Sequence, residues 1–129
     1  MRQRSRAIRW TAISVLSVGG AVAAFSGCAM QPSGNTVTML NLEFSPKTIR
    51  VTAGELVTWR NREGLPIQHT VTSGNPGDTD AGALFNSPII DPGESFSQRF
   101  DTPGTFIYFC EIHPDTMRNA IVIVDPAAE

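Results

Sequence analysis

Between residues 36 and 125, apolar and polar side chains alternate in short bursts. In Thr48-Ile49-Arg50-Val51-Thr52 every second residue is apolar, and Leu56-Val57-Thr58-Trp59-Arg60 sets Val57 and Trp59 on a shared face. Ser95–Phe100 does the same for Phe96 and Phe100. Alternation with a period of two predicts strands with one buried face. Thr36–Phe44 opens the domain with Leu40, Leu42 and Phe44 at alternate positions. Thr105–Phe109 and Ala120–Val124 are continuous apolar runs, which predict strands buried on both sides. Turn signals separate these runs: Ser45-Pro46, Ala53-Gly54, Asp91-Pro92-Gly93 and Thr102-Pro103-Gly104. No stretch carries a helical period and no internal repeat is visible. Many short strands at close spacing predict an all-β fold, a Greek-key β-sandwich.

One segment breaks this rhythm. Ser73–Glu94 is rich in Gly, Pro, Asp and Asn and is long for a loop in a compact domain. A short helix or an irregular strand is expected around Ala83-Leu84-Phe85. A docking flap carrying Asp78 and Asp80 is one reading of the segment. A solvated connection across the sandwich is the simpler one, because acidic loops are mostly just hydrated.

The start of the chain has a different character. Arg2, Arg4, Arg6 and Arg9 precede an uncharged apolar run over residues 10–25. A basic start, an apolar run and then small residues form the layout of a secretory signal. The run is short and rich in Ala, Gly and Ser for a membrane span, so an uncleaved anchor is the second reading. Ala24-Phe25-Ser26-Gly27-Cys28 resembles the lipobox of bacterial lipoproteins, with Phe25 where Leu is usual. That resemblance implies cleavage before Cys28 and lipidation of its sulfur. The expected organisation is a leader over 1–27, a tether over 28–35 and one domain over 36–126. The expected place is outside the cytoplasm, in the periplasm or at the cell surface. Attachment to the membrane would run through a lipid on Cys28 or through the leader itself.

Composition narrows the function. The 129 residues leave room for one sizeable core. Ten Lys and Arg face twelve Asp and Glu, and removal of residues 1–27 leaves six against twelve. No basic face is available for phosphates, so nucleic acid is not an expected partner. An acidic domain steers instead towards basic partners.

The residues able to do chemistry are few and clustered. Beyond Cys28 the chain has one cysteine, Cys110, and a lone thiol in an oxidising compartment is a liability unless buried or occupied. His113 follows three residues later and Met117 four beyond that; the second histidine of the chain is His69. Each alone has an ordinary reading: a polar histidine, an inert buried thiol, a core methionine. Together they compose one thiolate, two imidazoles and a thioether, the trigonal ligand set with a weak axial Met of blue-copper centres. Cys110 at a strand end and His113 in the following loop can face one ion, Met117 returns before the next strand, and His69 arrives from a neighbouring strand. Zinc also takes Cys and His, but more often adds carboxylate or water than thioether.

These segments resemble the cupredoxin family in its plastocyanin–amicyanin–halocyanin branch. Phe44-Ser45-Pro46, Ile49–Gly54 and Val57–Asn61 match the family's opening strands. His69-Thr70-Val71 matches its first ligand segment, and Pro103–Pro114 its ligand loop. The resemblance covers nearly all of the domain. It implies His69, Cys110 and His113 as equatorial ligands of one type 1 copper ion, with Met117 axial. It also implies Asn61 and Thr70 as residues that brace the ligand loop by hydrogen bonds. Relatives commonly separate the last His and the Met by two or four residues; here the interval is three.

The expected function is single-electron transfer between transient redox protein partners by a monomer that is not an enzyme. The ligand set leaves no open coordination position, and both histidines are taken, so no Ser/His/Asp set remains. His113, in the loop, is the expected exit for the electron, beside an apolar patch of Leu65, Pro66 and Pro114. The rival reading is a copper or zinc carrier without an electron-transfer role. A further rival is a lipid-anchored binding domain in which Cys110 is inert.

Overall fold

The computed structural model describes residues 34–128. The leader, Cys28 and most of the tether lie outside the described residues. Eight strands follow in chain order: β1 (Thr36–Leu40), β2 (Glu43–Ser45), β3 (Thr48–Thr52), β4 (Glu55–Asn61), β5 (Thr72–Ser73), β6 (Ser95–Phe100), β7 (Gly104–Phe109) and β8 (Ala120–Asp125). They form two four-stranded sheets, ordered β2-β1-β4-β6 and β3-β8-β7-β5. The pairs β1/β4 and β3/β8 are parallel and the rest antiparallel, and each parallel pair joins strands that are not consecutive in the chain. The described residues contain no helix.

The alternation of the sequence decides which side faces in. Val57, Trp59 and Asn61 of β4 are buried, as are Ile49 and Val51 of β3. Trp59 stands at the centre. Its ring lies 5.4 Å from that of Tyr108, edge-on, and within 6.4 Å of Phe85, Phe96 and Phe100. Aromatic rings at these separations add contact energy beyond the area they bury.

Two expectations are corrected. Leu40, Leu42 and Phe44 do not share a buried face. Val37 and Met39 point inward from β1 and Leu40 is exposed. The reason is a two-residue hairpin turn at Asn41 and Leu42, with φ of 57° and 59°, which pairs Leu40 with Glu43 and restarts the alternation. Nor are the apolar runs buried on both sides. In β8 buried and half-buried positions alternate, and β7 is fully buried only at Tyr108 and Phe109. The outer face of this sandwich carries aliphatic side chains that remain partly in water.

The long segment after β5 is an irregular strand around Phe85 rather than a helix. Phe85 fills the core, and residues 85–90 run antiparallel to 69–73. Ser73 N–H donates to the Phe85 carbonyl, Ser87 N–H to that of Val71, and His69 and Ile90 exchange both backbone bonds (3.1 and 2.8 Å). The segment thus holds the stretch that begins at His69.

Candidate metal centre

Cys110 follows directly on β7, and β8 starts at Ala120. The chain between them is a closed loop. Cys110 N–H donates to the Met117 carbonyl at 2.8 Å, and Met117 N–H donates to the His113 carbonyl at 2.9 Å. Asn119 then takes φ of 59°, a left-handed residue that turns the chain into β8. Cys110 and Met117 are buried in the core cluster, while His113 is only partly buried.

His69 arrives from the opposite side, fixed by its backbone exchange with Ile90. Its Nδ1 lies 3.9 Å from Cys110 Sγ, and Nδ1 of His113 lies 3.7 Å from the same sulfur. The two imidazoles meet edge-on with centroids 5.1 Å apart. Among the described residues, His69, Cys110 and His113 are the group of ligand atoms close enough to share an ion, all within 4.8 Å of one another. Metal–sulfur and metal–nitrogen bonds of about 2.3 and 2.1 Å, set at 120°, span about 3.8 Å between ligand atoms. The observed separations fit that triangle.

Hydrogen bonds prepare the sulfur. Thr70 N–H points at Cys110 Sγ from 3.3 Å, and the Thr70 hydroxyl lies at 3.9 Å. The same hydroxyl accepts from the N–H of Glu111 at 2.8 Å, so Thr70 ties the His69 segment to the 110–117 loop. Asn61 is placed differently. Its side-chain amide donates to the carbonyls of Ile67 and Ile90, both at 2.9 Å, and its oxygen accepts from Glu63 N–H. It braces the segment that carries His69, not the 110–117 loop.

Glu63 did not stand out in the sequence. It sits in the charged run Arg60-Asn61-Arg62-Glu63, which resembles any solvated turn. In the fold its side chain is 6% exposed and lies 3.3 Å from His69 Nε2. Burial pushes the Glu63 carboxyl up, but the backbone N–H groups of Leu42 and Asn41, and then His69, outweigh it and hold the group below the ordinary carboxylate value. Burial lowers the His69 imidazole below its ordinary value; Glu63 opposes that and His113 adds to it. His69 is therefore a neutral imidazole at neutral pH, the form that binds a metal.

Residues 33–124 match the family described as copper binding proteins, plastocyanin/azurin family. The chain is 32% identical over 115 residues to amicyanin-alpha of Methylorubrum extorquens, covering 87% of this chain and 92% of that one. It is 42% identical over 76 residues to plastocyanin of Scenedesmus fuscus, covering 56% of this chain and 76% of that one. Among solved structures, it superposes on a purple cupredoxin from Nitrosopumilus maritimus with a TM-score of 0.59 and 25% identity, over 70% of this chain and 98% of that chain.

Proposed function

The chain belongs to the plastocyanin/azurin family of copper-binding proteins, whose cofactor is one type 1 copper ion, and from that premise we propose that it is an extracytoplasmic one-electron carrier. His69, Cys110, His113 and Met117 would hold the ion. The observation that carries this reading is the convergence of both Nδ1 atoms on Cys110 Sγ, at 3.7 and 3.9 Å. The copper, when bound, supplies a Cu(I)/Cu(II) couple.

The chain's own part is to hold still. The thiolate of Cys110 receives Thr70 N–H, and His69 is clamped between Ile90 and Glu63. Such a frame changes little when one electron is gained or lost. His69 is fully buried, so the partly exposed His113 is the face an electron would cross. Leu65 (87% exposed) and Ile112 (41%) stand near the ligands in sequence, with Pro66 and Pro114. An apolar rim of that kind suits brief docking over a small area with a redox protein. With His69, Cys110, His113 and Met117 all holding the ion, no open position would be left for a substrate, which supports a carrier rather than an enzyme.

The basic and apolar start of the chain supports export, with residues 1–27 as leader, lipidation at Cys28 and a tether over 28–35 before the domain at 36–126. The test is a visible spectrum of the full chain loaded with Cu(II) and then reduced with ascorbate. An intense thiolate-to-copper band that bleaches and returns, and is absent from Cys110→Ser, is expected. A colourless protein that holds zinc would favour the metal-carrier reading instead.

A further inference from the structure

The carboxylate of Glu63 is nearly sealed from water. Glu63 Oε1 accepts from the N–H of Leu42 at 2.7 Å and faces His69 Nε2 at 3.3 Å. Among the described residues, its one titratable partner within ion-pair distance is His69. A carboxylate does not stay in such a place without partners, and those around Glu63 join a turn to the metal centre.

The first partner is a turn. Asn41 and Leu42 both occupy the left-handed region, which a leucine seldom does. That conformation aims the Leu42 N–H at Glu63. The second is Asn61, whose side-chain oxygen accepts the backbone N–H of Glu63 while its amide holds the carbonyls of Ile67 and Ile90. Ile90 in turn exchanges backbone bonds with His69. The ring of contacts Asn61–Glu63–His69–Ile90 is closed. The third partner is the imidazole. Its Nδ1 faces the sulfur and its Nε2 faces Glu63, whose carboxylate oxygens can only accept.

We propose that Glu63 is a positioning residue of the metal centre, whose buried carboxylate fixes His69 as the Nε2–H tautomer and by its negative charge favours the divalent over the monovalent ion. A carboxylate behind a histidine ligand makes the other ring nitrogen a stronger donor, and a stronger donor gains more from the higher charge. This rests on the copper reading above for the choice of ion; the tautomer does not.

Two variants of the full chain test it. Glu63→Gln keeps an oxygen acceptor for Leu42 and His69 and removes the charge together with one of the two acceptor oxygens. Cu(II) affinity, measured by competition, is expected to fall about 10- to 100-fold. Each tenfold loss borne by Cu(II) alone raises the reduction potential by about 59 mV. Glu63→Leu removes the acceptor, and the imidazole nitrogen signals of His69 in the metal-free chain should then change from one tautomer to a mixture. An unchanged potential in Glu63→Gln, with only thermal stability lowered, would reduce Glu63 to a structural tie and overturn the proposal. So would an unchanged tautomer in Glu63→Leu. As a further check, Leu42→Gly keeps the N–H and the carboxylate, and its potential should match the wild type. A shift equal to that of Glu63→Gln would assign the effect to the turn instead. Should the wild-type chain give no visible band, the copper reading fails, and the nitrogen signals still decide the clamp.

Discussion

The backbone N–H of Thr70 points at the sulfur of Cys110 from 3.3 Å, across 40 residues of sequence. The residue that follows the His69 imidazole therefore touches the sulfur of Cys110 directly. Its hydroxyl completes the link by accepting Glu111 N–H at 2.8 Å. Thr70→Val keeps the backbone donor and loses the acceptor. Stability of the metal-free protein in urea should fall by about 1 kcal/mol, while the copper band persists. Equal stability would mean that water replaces the hydroxyl at Glu111.

The two histidines differ in access, and their removal should differ accordingly. His113 is partly exposed and His69 is fully buried. In His113→Gly the vacated position opens to solvent, and added imidazole should restore the visible band. In His69→Gly the gap lies behind Ile90 and Glu63, and imidazole should fail to restore it. Equal rescue of both variants would contradict the burial of His69.

Trp59 Nε1 and the hydroxyl of Tyr108 are buried without a hydrogen-bond partner among the described residues. An unmet hydroxyl gains nothing from burial, so Tyr108→Phe should leave stability unchanged or raise it by about 1 kcal/mol. Trp59→Ala, which empties the centre of the core, should cost about 3–5 kcal/mol. Chemical denaturation of both variants checks the contrast. A marked loss in Tyr108→Phe would reveal a partner for the hydroxyl, such as an enclosed water.

Asn119 is exposed and left-handed, with φ of 59°, at the point where the ligand loop re-enters the sheet. A β-branched side chain is strained there and glycine is not. Asn119→Val should lose about 1–2 kcal/mol, and Asn119→Gly should stay within a few tenths of the parent. Thermal unfolding of the pair separates this backbone effect from any loss of side-chain contact.

The strands were legible because half-buried strands write their period into the chain, as β3 and β4 do around Val51 and Trp59. The cluster of His69, Cys110 and His113 was legible because scarce residue types with ligand chemistry stood at suggestive intervals. The hairpin at Asn41 and Leu42 was not. Two-residue turns announce themselves through glycine, and a leucine in the left-handed region leaves no such mark. The pairing of residues 85–90 with the His69 segment was equally hidden, since Pro88 and isolated bridges show no alternation. Glu63 was invisible for another reason: a charge beside two arginines signals water, and only the folded chain shows what covers it.

The loop from Cys110 to Met117 begins and ends on a single backbone hydrogen bond, 2.8 Å long, at the mouth of two paired strands. The sheet beneath it senses a closed clasp and not the number of residues within. Length between His113 and Met117 is therefore a variable that mutation can explore by insertion or deletion without rebuilding the two sheets. The His69 side offers no such freedom, because backbone bonds at His69, Val71 and Ser73 hold its register to residues 85–90. Diversification of this architecture should concentrate on one rim of the molecule, where whole cassettes can be exchanged, while the other rim is inherited as a fixed part.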